Sequence, residues 1–519
     1  MRGILCRFDR HENGADKSGH VESTTEWRRS VSCGTDGGRV DAAPPECRRA
    51  VATDRDQRPV DLSVWNMLVT YSTTMSDKKS ELRSGQLGFW TAVAVGFGMV
   101  TSSTTLYVAG NTVGQIGSGL IISMLIAFVF MILAALGLSE LSTMYPVAGS
   151  FTTYAKNAFG SSAGVAIGLI YWLVFVALAS EANIVGHILN YVFPGFLPWQ
   201  VWGTLLVVLF VGVNILGINW VGKTAAVLLG LLAGVIVLLS LLQIGGFGAA
   251  QFDPSELTWT QAGWSPILSF VPFAVWLFVG WEVLGPLAEE VEDAENTLPK
   301  AMITVVVLVF LVRVPFIIAM DGSVGADALA QSPFPQVVAF EAFFGATGMW
   351  IMAIISFLAT GATFNAVLAG TSRQLWNLGR EGYLPGVLGH LNPRFKTPDV
   401  ALALTGAIVL VLLWAVTLPT VLINASANLF IIVYITVSAC VIVLRYKKPD
   451  QERPFYAGGP EALPAVSVVG IIGLTLALLY SGNRVLVVTL AVVVVVLVIS
   501  YVTTRFSTRD RQNTGVEGE

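Results

Sequence analysis

From residue 85 onward the chain repeats one pattern, in which a long apolar stretch is followed by a short polar link and then another apolar stretch. About 20 apolar residues in a helix are enough to cross the hydrocarbon core of a bilayer. Twelve such spans can be read, at 88–110, 117–144, 163–193, 199–217, 222–244, 265–288, 300–320, 337–372, 399–418, 420–444, 463–482 and 484–504. The eighth is too long for one crossing, so part of it must tilt or form a lead-in helix outside the core. The pattern predicts an all-α polytopic membrane protein of about 12 transmembrane helices.

Lys and Arg in the links orient the spans, because they accumulate on the cytoplasmic side. With the N-terminus in the cytoplasm, 17 of them fall inside, from Lys78, Lys79 and Arg83 to Arg505, Arg509 and Arg511. Only Arg484 falls outside, and Arg313 lies within a span. One span more or fewer would scramble this sorting. The expected protein is therefore a multi-pass cell-membrane protein with both termini cytoplasmic.

Two spans carry features that do not suit a continuous helix. The first holds five consecutive hydroxyl residues, Thr101 to Thr105, and hydroxyls that bond to the local backbone weaken a helix. The sixth holds Gly280, Glu282, Gly285 and Pro286 in quick succession. Unwound backbone at membrane depth survives only when buried in protein or facing a water-filled cavity. Paired interruptions in corresponding helices of two halves point to a transporter binding site. The spans are accordingly read as two inverted repeats, 85–245 and 265–445, with two extra helices over 463–504 and a cytoplasmic tail over 506–519. A half-helix start offers free N–H groups to a carboxylate, and a half-helix end offers carbonyls to a cation. Thr101, Ser102, Ser103 and Thr104 either satisfy freed backbone groups or serve as donors to a ligand.

Composition adds a boundary. The chain is 12% charged, yet residues 1–74 hold 22 of its 64 Asp, Glu, Lys and Arg residues. This stretch lacks the apolar core of a secretory signal. Residues 1–84 are expected to be a disordered or non-native extension, with Met75 as a natural start. Cys6, Cys33, Cys47, His11 and His20 lie there without the spacing of a zinc site, so no metal or cofactor is expected. Only two histidines follow residue 74, and no hydrolase, metalloprotease or phosphate-loop motif is present. An enzyme and a nucleic-acid binder are both disfavoured.

Ionisable groups inside spans are functional candidates by default. Glu181 and His187 share span three but, six residues apart, sit on different faces. Glu181 is mid-span and is a candidate for amine or proton handling. His187 is placed near the outer interface. Arg313 needs a buried anion or a snorkelling route. Glu140, Lys300 and Arg373 gather at the cytoplasmic ends, where ion pairs among them form a gate or simply anchor the loops.

Three longer stretches carry a family resemblance: "SELSTMYPVAGSFTTYAKNAFG" (139–160), "GWEVLGPLAEEVEDAENTLPKAM" (280–302) and "FNAVLAGTSRQLWNLGREGYLPGVLGHLNPRFKTP" (364–398). They resemble signature regions of the amino acid–polyamine–organocation transporter superfamily, and the likeness covers residues 85 to about 505. It implies a LeuT-like core of five plus five helices in inverted repeat, and alternating access of an amino acid or related small organic amine. It also implies a substrate site at Met99, Thr101, Ser102, Ser103, Thr104, Tyr171, Trp276, Val279 and Gly280. The superfamily usually has Gly-Ser-Gly where this chain has Thr101-Ser102-Ser103. Hydroxyl residues there narrow the cleft, which admits an amine lacking a carboxylate. For coupling, the resemblance leaves three routes open: protons through Glu282, exchange, or a sodium ion held near Met99 and Val100 by Thr360 or Thr363. The expected partners are the substrate, Na+ or H+, lipid and a second copy of the chain. The rival reading is a substrate sensor of the same fold that does not transport.

Overall fold

The computed structural model describes residues 87–513, except 148, 218–222, 289–290, 458–462 and 481–483. The N-terminal extension, its cysteines and histidines, and Met75 lie outside the described residues.

Each of the twelve apolar spans coincides with at least one helix, and among the described residues six helices, or seven if the bent first pair is one span, are long and apolar enough to cross a membrane. The first is two helices, α1 (Phe89–Val100) and α2 (Ser103–Ile116), bent by 54° at the junction. The chain continues through α3 (Gly119–Met144), a short linking helix α4 (Ser150–Phe159), then α5 (Ser161–Leu173) and α6 (Val176–Val192), which form span three. α7 (Trp199–Ile215) and α8 (Lys223–Ile244) follow. The sixth span is fragmented into α9 (Trp264–Ser269), α10 (Val271–Trp276) and a 3₁₀ turn, Trp281–Leu284. Beyond these lie α11 (Ala294–Val324), the short α12 (Ala326–Ala330), α13 (Pro335–Arg380), α14 (Asp399–Ala415), α15 (Pro419–Lys447), α16 (Leu463–Tyr480) and α17 (Arg484–Asn513). Among the described residues there is no strand, only a single backbone bridge between Leu87 and Val291.

Local sequence explains the departures from simple rods. α13 is 46 residues long but is interrupted at Phe344 and Gly345, where the glycine takes φ 61°. The overlong eighth span is thus a lead-in helix followed by a crossing helix. α17 runs on to Asn513, past the end of its apolar stretch.

The core is continuous around the first and sixth spans. α1 packs on α8, α11 and the 3₁₀ turn, and α10 packs on α3 and α15. Outward-facing apolar side chains such as Leu205, Leu209, Leu238, Val411 and Val488 suit a lipid environment. The chain is an all-α polytopic membrane protein.

Candidate functional site at two broken helices

The hydroxyl run is where the first span breaks. α1 stops at Val100, and Thr101 and Ser102 leave the helical region. Ser102 is extended and caps α2: its Oγ accepts from the Thr105 amide, while Thr105 Oγ1 accepts from the Ser102 amide, both at 3.2 Å. This reciprocal capping box satisfies two donors that a helix start leaves open. Thr101 closes the other half, its Oγ1 donating to the Phe97 carbonyl at 3.1 Å. Three of the five hydroxyls therefore stabilise freed backbone. Thr104 instead reaches a charge. Its amide (3.2 Å) and its hydroxyl (2.6 Å) both donate to Glu181 Oε1 on α6. Glu181 Oε2 accepts from Thr360 Oγ1 on α13 at 2.7 Å. Ser103 Oγ is fully buried and has no partner among the described residues.

The second break has different chemistry. α10 ends at Trp276, and Gly280 then takes φ 135°, which side-chain-bearing residues rarely adopt. No α-helix resumes; the chain passes through the 3₁₀ turn to Gly285 and Pro286. Glu282 folds back so that its Oε2 accepts from the Gly280 amide (2.8 Å) and from Tyr434 Oη on α15 (2.9 Å). The Trp281 indole stacks on the Tyr434 ring at 5.6 Å and 9°.

The two breaks touch. A Cβ added to Gly280 would lie 2.7 Å from the Val100 nitrogen and 2.8 Å from the Met99 carbonyl carbon. Only a residue without a side chain permits this approach.

The remaining expected residues divide into two groups. Trp276, which ends α10, and Val279, at the second break, are both buried, and Trp276 Nε1 lacks a partner among the described residues. Trp276 and Tyr171 both approach Phe430 of α15, at 6.1 and 6.5 Å between ring centroids. Met99 is the penultimate residue of α1. Thr363 turns back on its own helix, donating to the Ala359 carbonyl at 3.0 Å, and does not join Thr360 at Glu181. His187 stacks on Trp199 at 4.5 Å, away from Glu181.

Two expectations need correction. Among the described residues Arg313 pairs with no anion, and it does not snorkel; it is buried, and its Nη2 donates to the Val100 carbonyl (3.0 Å) and to Thr105 Oγ1 (2.6 Å). A cation placed on the terminal carbonyl of α1 offsets the negative end of that half-helix. Glu140 pairs with neither Lys300 nor Arg373 among the described residues. It is held by Arg445 at 2.7 Å and Arg453 at 3.4 Å, joining the C-terminal ends of α3 and α15.

Sequence reasoning missed Tyr434, Phe430 and the partners of Arg313. Tyr434 and Phe430 lie in an apolar span with no charge to flag them. Their four-residue spacing puts them on one face of α15, which is a weak signal shared with ordinary core pairs.

The fold and site define a polytopic membrane protein with two broken helices meeting at its centre, the class to which membrane transporters of this kind belong. Comparison with known sequences makes this specific: residues 87–513 match the amino acid permease family, and the chain belongs to it. It is 26% identical to the gamma-aminobutyric acid permease of Escherichia coli over 368 residues, covering 66% of this chain and 76% of that one. It is also 26% identical to an uncharacterized transporter of Mycobacterium tuberculosis over 78% of this chain and 88% of the relative. The human large neutral amino acids transporter small subunit 2 is 28% identical over 66% of this chain and 65% of its own length. These relatives carry transporter or permease names, which agrees with a transporter rather than an enzyme and lends no support to a sensor.

Proposed function

We propose that the chain is a secondary active transporter moving an amino acid or a related small organic amine by alternating access. Substrate binds where the breaks of spans one and six meet. The observation that carries this reading is the contact of Gly280 with the backbone of Met99 and Val100. Bent, unwound backbone is held there among Ser103, Trp276, Glu181 and Glu282, all of them buried. Such backbone at membrane depth is stable only in a protein interior or beside a cavity.

A cleft of about 300 Å³ between α2, Phe270 and the start of α15 supports an approach route from one side. Asn111, Gln115 and Asn424 line it. In the orientation given by the Lys and Arg distribution, with both termini cytoplasmic, this is the outer side. The reading includes inverted repeats over 85–245 and 265–445, whose relative movement alternates access.

For coupling, the arrangement favours protons or exchange over sodium. The Val100 carbonyl, one of the groups expected to hold a sodium ion, already accepts from the Arg313 guanidinium, whose charge disfavours a second cation beside it. Glu282, hydrogen-bonded but not ion-paired among the described residues, is the proton candidate.

The test is uptake of labelled amino acids and amines into proteoliposomes, with imposed sodium gradients, pH gradients or internal substrate for exchange. Gradient- or exchange-dependent flux of at least one compound is expected. No flux for any compound under any condition would refute transport.

A further inference from the structure

We propose that Glu181 is a tethered carboxylate that fills the anion seat at the start of α2, so that the site selects ammonium-bearing substrates without a carboxylate of their own. The inference rests on the transport reading above and narrows its substrate class.

The start of a helix is where a substrate carboxylate would be expected to dock, because its free N–H groups and positive dipole favour an anion. Here two of those positions, the Thr104 and Thr105 amides, are taken. The Thr105 amide donates to Ser102 Oγ, and the Thr104 amide and hydroxyl donate to Glu181 Oε1. Thr360 holds the second oxygen of Glu181. The Gly280 amide at the other break is likewise occupied by a carboxylate of the chain, Glu282.

What the site offers is acceptors. Glu181 and Glu282 are both 2% exposed or less, and neither has a cationic partner among the described residues. The buried cation at the first break, Arg313, cannot serve a ligand carboxylate. It bonds the Val100 carbonyl and Thr105 hydroxyl, and it adjoins a void of only about 10 Å³, room for one water. Glu181 accepts three hydrogen bonds from Thr104 and Thr360, with the Ser102 hydroxyl also beside it, so an ammonium binds by displacing one of these neutral hydroxyl donors in favour of a charge-assisted bond. Trp276, Phe430 and Tyr171 add ring faces of the kind that attract ammonium groups. Ser103 Oγ and Trp276 Nε1, buried and without partners among the described residues, mark polar positions that a small ligand would complete.

The test uses pairs of probes that differ only by a carboxylate: ethanolamine and serine, putrescine and ornithine, phenethylamine and phenylalanine. Equilibrium binding to the purified full chain is measured in detergent, where no second compartment is needed. At least one amine should bind about tenfold or more tightly than its carboxylated partner, the worth of one charge-assisted hydrogen bond. Glu181→Gln, which keeps the shape and an acceptor, should weaken amine binding by about the same factor. Glu181→Ala, which vacates the seat, should invert the preference toward the amino acid; a merely structural Glu181 would lower both affinities together. Tighter binding of the amino acid in every pair, no binding of any amine, or an unchanged ratio in Glu181→Gln would overturn the inference. Binding of amines without any flux would leave it standing while refuting transport.

Discussion

Gly280 and Val100 are joined across the two broken spans by a backbone contact with no room for a methyl group. A Cβ at Gly280 would stand 2.7 Å from the Val100 nitrogen, and the glycine itself holds φ 135°. Gly280→Ala therefore meets two penalties, a strained backbone of about 1–3 kcal/mol and overpacking of about 1–3 kcal/mol. The neighbour is backbone, which cannot rotate aside. We predict a variant that inserts in the membrane, melts several degrees lower in detergent, and loses uptake. Wild-type flux in Gly280→Ala would show that the contact of the two breaks is dispensable.

Arg313 caps the end of α1 with a guanidinium, and this predicts sodium independence. The Val100 carbonyl already accepts from Arg313 Nη2, from the Ser102 amide and from Thr105 Oγ1. Uptake at fixed membrane potential should be the same in sodium and in choline buffer. Arg313→Met removes two hydrogen bonds to a charged donor, worth about 1.5–3 kcal/mol each. It should lower the melting temperature and abolish uptake even where the protein remains folded. A steep sodium dependence of the wild type would refute the assignment.

Glu282 links the second break to α15 through Tyr434, and a proton on it would change both of its hydrogen bonds. The Gly280 amide and the Tyr434 hydroxyl each donate to Oε2, and a protonated carboxyl would compete as a donor for the same space. Glu282→Gln should abolish uptake driven by a pH gradient while sparing exchange of internal for external substrate. Unchanged pH dependence in that variant removes Glu282 from coupling. Tyr434→Phe, which loses one donor only, should shift the pH profile without abolishing flux.

Much of this arrangement could be read from the residues, for identifiable reasons. Hydrophobic runs and the Lys and Arg distribution report on water and lipid, which act on each segment separately, so the spans were legible. Breaks were legible where chemistry is local: the capping box joins Ser102 and Thr105, three residues apart, and Gly280 supplies its own conformation. Partners across the bundle were not. Arg313 was visible as a charge in an apolar span, but its acceptor is a main-chain carbonyl 213 positions away, which leaves no mark in a side-chain pattern. Glu181 was visible in the same way; that its oxygens divide between Thr104 and Thr360 required the packing of α2, α6 and α13. The partners of Glu140 were not legible, because proximity to one membrane face does not choose among several cations on it.

Glu140 carries the last prediction. Its carboxylate is 1% exposed and accepts from Arg445 Nε and Nη2, at 2.9 and 2.7 Å, and from the Ala457 amide at 3.1 Å, with Arg453 Nε in ion-pair contact at 3.4 Å. The cluster ties the end of α3 to the end of α15 and the link beyond it. Removing one member of a buried ion pair leaves the other charge uncompensated and costs about 3–5 kcal/mol, whereas replacing both by apolar groups can be nearly neutral. Glu140→Ala should therefore destabilise the protein strongly. Glu140→Leu combined with Arg445→Met and Arg453→Met should recover much of the loss, measured by thermal melting in detergent. If the cluster also latches the cytoplasmic side during alternating access, the triple variant will be stable yet will leak substrate down its gradient. A triple variant as unstable as Glu140→Ala would mean that the arginines stabilise through the carbonyls of Leu444 and Lys448, to which Arg453 also donates, rather than through Glu140.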